Sequence, residues 1–345
     1  MVRQVAATPS AAPRRSDRTA WVPDRAVLVR NPVLRVVVRR CVIAVPLLFV
    51  VSALTFVLVS LTPGNAAEQI LGTSATPAEY AALNRALGLN LPLYEQYWNW
   101  LRHALTGNLG QSIFTNQPVT QAIGQRLPVT LSLLVGALVV SVVIGIGLGV
   151  FSALRGGAVG RAADVLALIG FSLPAFWVGA ELIVIFAVWR HWFPATGYVS
   201  ISDSPVGWLH SLVLPVFALS LYGIASTAKQ TREAMLDVLA SEHIRMAWAN
   251  GISPRSIVFR HALRNASMRV VTVLGLLAVG LLGGTVLVEN VFALPGLGSL
   301  MVTAATQHDI PVVAGMAVYF TLIVVAINLV VDLAYVWLNP RVRVR

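Results

Sequence analysis

MAWANGISPRSIVFRHALRNA, residues 246–266, is a basic and interrupted helical segment that stands between long apolar blocks of the chain. Gly251 is the residue type that ends a helix in the left-handed conformation. The pair Ser253–Pro254 that follows is typical of an N-cap with proline at the first helical position. The pattern therefore predicts a helix over residues 242–249, a sharp turn, and a second helix from Pro254 towards Asn265.

Each of these two helices is expected to have an apolar face. That of the first consists of Ile244, Ala247, Trp248 and Gly251. The second has an apolar stripe opposite Arg260 and Arg264, formed by Val258, Phe259, Ala262 and Leu263. Such a helix can lie on anionic lipid or dock into a groove of another protein. Because lipid docking alone does not require so sharp a turn, we favour a protein partner.

The composition is that of an integral membrane protein. Of the 345 residues, 57% are hydrophobic and 11% are charged, whereas soluble domains have about 25% charged residues. The net charge of +11 is interpreted as arginines facing anionic lipid headgroups on the cytoplasmic side, and not as a nucleic-acid surface. Cys41 is the only cysteine, which excludes a disulfide framework and a cysteine metal cluster.

Six apolar blocks have the length of about 20 residues that a membrane-spanning helix needs. They lie near residues 41–61, 129–153, 163–188, 208–228, 269–290 and 312–337. Residues 1–31 are rich in Ala, Pro, Ser and Arg and predict a disordered tail that precedes a permease domain over 32–345. Pro174 and Pro215 fall inside the third and fourth spans, where proline kinks a helix.

Counting Lys and Arg orients these spans. Twenty-one lie in the two tails and alternate loops, and four lie in the other loops. The positive-inside rule then places both termini and the long loop 229–268 in the cytoplasm. Residues 62–128 become a large external segment. Its clustered aromatic residues suit either the headgroup level or a small packed cap, and these are Tyr94, Tyr97, Trp98 and Trp100.

Four acidic residues are candidates for a transport path or its mouth. Glu181 and Asp332 lie inside spans, where each can meet a cationic group of a cargo. Alternatively, Asp332 pairs with a loop arginine, and Glu181 pairs with a partner in the bundle or reaches the outer interface. Glu289 and Asp309 lie at the outer ends of spans, where water is expected to be close. For catalysis the chain offers no HExxH, GxSxG or CxxC motif and no GxxxxGK[ST] phosphate loop. We therefore expect no enzyme, no metal site and no cofactor in this chain.

Several stretches resemble bacterial ABC-importer permeases of the dipeptide/oligopeptide, B-type branch. That branch has a cytoplasmic motif similar to YVRTARAKGL…RHALRNAL, and this chain has HIRMAWANGI at 243–252 and RHALRNA at 260–266. Trp248 and Asn250 stand where the branch more often has Arg and Lys. Further matching stretches are SLTPGNAAE at 60–68, RLPVTLSL at 126–133, GFSLPAFWVG at 170–179, the segment 289–313, and NLVVDLAYVWLNPRVR at 328–343.

The resemblance implies an all-α, six-helix type I permease bundle in the bacterial inner membrane. The bundle would pair with a C-type permease, receive short peptides from an external binding protein, and be driven by two cytoplasmic ATPases, or one fused chain, that bind ATP and Mg. The residues that couple it to an ATPase would be Arg245, Ala247, Trp248, Gly251, Ile252, His261, Leu263 and Arg264. Permeases for nickel chelates, haem or antimicrobial peptides share these motifs, so cargo stays open. A stand-alone secondary transporter is the alternative from another class, although no inverted repeat is found.

Overall fold

The computed structural model describes residues 32–72 and 74–338, and apart from an isolated bridge between Gln111 and Pro118 the regular secondary structure of these residues is helical. The helices are α1 Pro32–Leu61, α2 Ala66–Leu71, α3 Pro77–Ala86, α4 Leu93–Ala104, α5 Val119–Arg155, α6 Gly157–Ser172, α7 Ala175–Leu182, α8 Pro205–Leu239, α9 Glu242–Ala249, α10 Pro254–Ser256, α11 Leu263–Val291, α12 Leu297–Thr306 and α13 Ile310–Leu338. Two π-helical segments, Ile183–Trp189 and Ile257–Ala262, continue α7 and join α10 to α11. The predicted tail over 1–31 and the last seven residues lie outside the described part.

Helices cover the six predicted spans, and several are longer than hydropathy indicated. Five helices are long and apolar enough to cross a membrane, and a sixth crossing exists if α6 and α7 with its π-helical extension are counted together. α5 begins at Val119, ten residues before the predicted start at 129. The predicted second helix of the basic segment and the fifth span form one helix, Pro254–Val291. Helices can extend past the bilayer because their ends pack on protein.

Pro174 breaks the third span. Leu173 before it is extended (φ −87°, ψ 119°), as a residue preceding proline tends to be, and α7 starts immediately after it. The two halves of the span meet at 94°. Pro215, by contrast, lies within an uninterrupted α8. Of the two expected kinks, the one at Pro174 is therefore a complete change of helix direction.

α5, α8 and α11 form the centre of the bundle. Their mutual core includes Leu133, Ala137, Ala218, Leu219 and Leu281. α5 and α8 approach so closely that a Cβ atom added to Gly149 would lie 2.6 Å from the Ala228 carbonyl oxygen. Small residues permit such contact between helices in a membrane, where van der Waals packing drives association.

The predicted external segment packs as a cap on the C-terminal half of α1. The ring of Tyr97 contacts those of Phe49 and Phe56, and Trp100 contacts Phe56. The Tyr97 hydroxyl is also 3.0 Å from Ser52 Oγ. Tyr94 and Trp98 of the same helix remain exposed. The interpretation as a packed cap therefore applies to Tyr97 and Trp100, and the headgroup level stays a prediction for Tyr94 and Trp98.

Candidate functional site

The basic segment 246–266 and the five residues before it form a helical elbow, and the name elbow is used below for residues 241–266. Gly251 has φ +71°, and the Gly251 and Ile252 amides donate to the carbonyls of Trp248 (3.0 Å) and Ala247 (3.2 Å). This pair of bonds closes the end of α9 in the left-handed cap that Gly favours. Ser253 is extended, as an N-cap should be, although its hydroxyl makes no capping bond. The turn predicted from sequence is present at the predicted residues.

One side of the elbow is packed firmly on the bundle. Ile244, Ala247 and Ile257 form a buried cluster that contacts Val238 and Leu239 at the end of α8. A second cluster joins the start of the long helix to α5 and α8, and it includes Val150, Met235, Val258, Ala262 and Ala266. Because both helices of the elbow are anchored in this way, the elbow is a rigid extension of α5 and α8.

The opposite side of the elbow exposes large apolar side chains. Met246 is 66%, Trp248 49% and Phe259 58% exposed. Trp248, Pro254, Arg255 and Phe259, together with Leu154 of α5, line an open groove of about 540 Å³. Of the apolar faces predicted from sequence, Trp248 and Phe259 therefore lie on the exposed side of the elbow. Ile257, and not Phe259, occupies the centre of the buried side, and the Trp248 indole lies at its rim.

Arginines surround this exposed apolar surface. Arg245, Arg255, Arg260 and Arg264 are exposed, and none of them makes an ion pair with a residue in 32–72 or 74–338. Arg269, by contrast, pairs with Asp237. An apolar patch with free cations at its edge is typical of a protein interface, in which aromatic residues and Arg are enriched.

The eight predicted coupling residues therefore divide into two groups. Arg245, Trp248, Gly251 and Arg264 are exposed, and Ala247, Ile252, His261 and Leu263 are buried or partly buried. The buried group holds the elbow in place, while the exposed group is available to a partner. Sequence reasoning missed Met246 as a surface residue, since only the packing of Ile244 and Ala247 on α8 shows which way α9 faces.

Glu289 lies in the interior of the protein rather than at an open mouth. It is 0% exposed. Thr130 Oγ1 donates to Glu289 Oε1 at 2.6 Å, and the Ser299 amide in the first turn of α12 donates to Oε2 at 3.0 Å. A carboxylate is stabilised at a helix N-terminus by such amides. The expectation that water lies close to Glu289 is wrong, because the loop between α11 and α12 folds over it.

Asp309, between α12 and α13, is buried in a similar way and is 2% exposed. Ser112 Oγ donates to Asp309 Oδ2 at 2.6 Å, and the Ile113 amide lies 3.3 Å from Oδ1. Burial raises the pKa of the Asp309 carboxyl, and the hydrogen bonds from Ser112 and Ile113 oppose that rise. The expected solvated environment is again wrong, and Asp309 ties residues 112–113 to the start of α13.

The two carboxylates inside spans differ from one another. Asp332 in α13 accepts a hydrogen bond from Arg40 Nε of α1 at 2.5 Å, so it pairs with a span arginine rather than with the loop arginine considered from sequence. Glu181 in α7 is exposed. Among the described residues it has neither an ion-pair partner nor a side-chain hydrogen bond. Of the four candidates, Glu181 is the one whose charge is left uncompensated within the described chain.

Comparisons with known proteins match almost the whole chain. Residues 145–344 match the family described as binding-protein-dependent transport system inner membrane component. Residues 33–134 match the family that describes the N-terminal part of such membrane components. A putative peptide transport system permease protein of Brucella abortus is 42% identical over 308 residues, which is 89% of this chain and 98% of the relative. A glutathione transport system permease protein of Escherichia coli is 38% identical over 311 residues, 90% of this chain and 99% of the relative.

A solved structure shows the same fold. A chain of the MetNI methionine ABC transporter, in an inward-facing conformation, superposes with a TM-score of 0.53 at 17% identity, covering 64% of this chain and 97% of that chain. The sequence prediction of an all-α permease bundle is confirmed, as is the resemblance on which it rested.

Proposed function

The chain belongs to the family of binding-protein-dependent transport system inner membrane components, and we propose that it is the permease subunit of an ATP-driven importer of short peptides. The cargo assignment rests on one observation. This chain is 42% identical to a protein named as a putative peptide transport system permease, and the match covers 98% of that protein. Glutathione, the cargo in the name of another relative, is itself a short peptide.

The bundle would form half of a translocation path, and a C-type permease would form the other half. An external binding protein would deliver the cargo, and two cytoplasmic ATPases, or one fused chain, would bind ATP and Mg and hydrolyse the ATP. The excess of Lys and Arg in alternate loops supports an orientation with both termini cytoplasmic. In that orientation the elbow projects towards the ATPases.

The elbow would be the part that couples ATP hydrolysis to transport. Its exposed face combines Trp248, Met246 and Phe259 with arginines that have no ion-pair partner in the described part of the chain, which suits insertion into a groove of an ATPase. Its buried face is anchored to α5 and α8. Movement of an ATPase would then be passed as a rigid-body displacement to α5 and α8 at the centre of the bundle.

Glu181 would face the path or the partner permease. A carboxylate turned towards lipid is costly, and Glu181 has no compensating partner among the described residues. A water-filled path between two permeases would solvate it there. It would meet the free amino group of a peptide cargo, with which a carboxylate makes a charge-assisted hydrogen bond.

The experiment is purification of the tagged chain with its neighbours, followed by reconstitution into proteoliposomes. ATPase subunits should co-purify, and labelled dipeptides and tripeptides should accumulate only when ATP and the binding protein are present. Absence of any ATPase would overturn the machinery proposed. Co-purification with uptake of a nickel chelate or haem, and none of peptides, would overturn the cargo alone.

A further inference from the structure

An apolar groove lies between α5, α6 and α8 and has a charged end. Its volume is about 410 Å³. Its walls are formed by side chains that include Leu148, Phe151, Leu166, Ile169, Leu221 and Ile224. Lys229, Arg232 and Asp164 line it as well, and they gather at one end because α6 runs antiparallel to α5 and α8. That end is the one that the arginine count assigns to the cytoplasm.

The charged end has more positive than negative charge. Lys229 is the only lysine of the sequence, is partly buried, and forms no ion pair with any residue in the described ranges. One turn further on, Arg232 Nη1 lies 3.3 Å from Asp164 Oδ1. Arg232 Nε is buried and has no acceptor in the described part of the chain. The charged end therefore has one carboxylate, that of Asp164, and two cations, Lys229 and Arg232. Arg232 Nε is still available to donate a hydrogen bond.

The position of Lys229 fits the depth of a lipid headgroup. Along α8 it lies about 36 Å from Pro205 at 1.5 Å per residue. The hydrocarbon core of a bilayer, about 30 Å thick, therefore fits between these two residues. The apolar walls extend from Lys229 back towards the hydrocarbon, where an acyl chain lies.

We propose that this groove is a binding site for an anionic phospholipid of the cytoplasmic leaflet. The phosphate lies against Lys229 and Arg232, and one acyl chain lies along the walls of α6 and α8. Lys and Arg are the side chains that bind phosphate, and basic pockets between spans on the cytoplasmic side bind anionic headgroups. A soluble phosphate compound would leave the long apolar part of the groove unfilled. The site is independent of the cargo and does not require the coupling role of the elbow.

The test is native mass spectrometry of the assembled transporter in detergent, with phosphatidylglycerol and phosphatidylcholine of identical acyl chains offered together. Wild type should retain phosphatidylglycerol in preference. Lys229→Gln should reduce that preference roughly fivefold, the effect of one cation near an anionic headgroup. Arg161→Gln is the matched control, since Arg161 is exposed on α6 and does not line the groove. It should retain phosphatidylglycerol as wild type does.

A second variant tests the apolar part of the site without changing any charge. Ala163 lines the groove, and Ala163→Phe should displace the bound phosphatidylglycerol while Lys229 is intact. Equal retention of the two lipids by wild type, or equal losses from the Lys229 and Arg161 variants, would overturn the proposal. A crosslink from the groove to the second permease subunit would overturn it too, because a protein helix would then occupy the groove. Lipid counting does not depend on transport, so the result stands apart from the outcome for peptide uptake.

Discussion

Glu289 and Asp309 each fix a loop at the end of the bundle opposite the elbow. A buried charge costs free energy unless it is hydrogen-bonded, and each of these carboxylates receives one hydroxyl and one backbone amide. Glu289 fixes the start of α12, and Asp309 fixes residues 112–113 against the start of α13. A carboxylate held in this way is positioned by the loop that covers it, and it can reach a cargo only if that loop opens.

Replacement of Ser112 should change how stability depends on pH. The pKa of Asp309 is raised in the folded protein, so protonated Asp309 contributes to the free energy of unfolding. That contribution is fully present below the ordinary carboxyl pKa, and it is lost as pH rises through the raised pKa. Ser112→Ala removes a bond that favours the ionised form, and should cost about 1.5–3 kcal/mol at neutral pH. The measurement is thermal unfolding in detergent from acidic to neutral pH.

The control for that experiment is Ser60→Ala, because the exposed Ser60 hydroxyl bonds only to its own helix at Val57. Its unfolding curve should follow that of wild type across the pH range. The difference between Ser112→Ala and wild type should grow as the pH rises. A constant difference at every pH would show that Asp309 does not ionise in the way described.

Glu181 should determine which chemical form of a peptide is carried. With Glu181→Gln, uptake of peptides that have a free amino terminus should fall about tenfold, the value of a hydrogen bond between charged groups. Uptake of the same peptides with an acetylated terminus should not change. Glu68→Gln, at an exposed carboxylate of α2, is the control. Equal losses for the two kinds of peptide would place Glu181 at a subunit interface instead of the path.

At the scale of elements, the elbow depends on one backbone conformation at Gly251. A Cβ atom at Gly251 would meet nothing within 4 Å, so a substitution there acts through backbone strain alone. Gly251→Val at φ +71° should cost of order 1–3 kcal/mol locally and should abolish peptide uptake while membrane insertion persists. Gly251→Asn should retain uptake, because Asn tolerates the left-handed region. The measurement is ATP-driven uptake by proteoliposomes that contain equal amounts of each variant, and full uptake by the Val variant would refute the role of the turn.

Trp248 should supply much of the binding energy between the elbow and an ATPase. A buried Trp anchor is worth 2 kcal/mol or more at an interface, so Trp248→Ala should weaken ATPase binding by roughly 30-fold or more. Trp337→Ala is a control of the same residue type, exposed near the end of α13, and should leave the affinity unchanged. Affinity can be measured by titrating purified ATPase onto the immobilised permease. If both variants lost a similar amount of ATPase affinity, the contribution of Trp248 to ATPase binding would not be specific to the elbow.

The sequence predicts those elements whose signals are local. Gly251 and Pro254 specify the turn by their own backbone preferences, and hydropathy identifies the spans. The 94° change of direction after Leu173 depends on how α7 packs against α8 and α11, although Pro174 marks its position. The burial of Glu289 and the outward direction of Trp248 depend on contacts with distant parts of the chain, so no nearby residue signals them.

At the scale of the whole molecule, α1 lies at the edge of the bundle. It packs mainly on α13 and on α4, and many of its apolar side chains remain exposed. A polar connection between α1 and α13 is the ion pair of Arg40 with Asp332, in which both side chains are about 30% exposed. Among the described residues, the attachment of α1 therefore includes its packing on α13, this ion pair and the aromatic cluster with α4.

A double-mutant cycle at Arg40 and Asp332 measures that attachment. The pair is half-buried. Its coupling energy should therefore lie between that of exposed pairs, about 0.2–1 kcal/mol, and the cost of breaking a buried pair, about 3–5 kcal/mol. We expect a coupling energy of about 1–2 kcal/mol from Arg40→Gln, Asp332→Asn and the double variant, measured by the unfolding of α1 in detergent. The exposed pair of Arg269 with Asp237 is the matched control, and its coupling should be below about 1 kcal/mol. Equal coupling in the two pairs would mean that the membrane environment gives Asp332 no special role, and that packing alone holds α1 on α13.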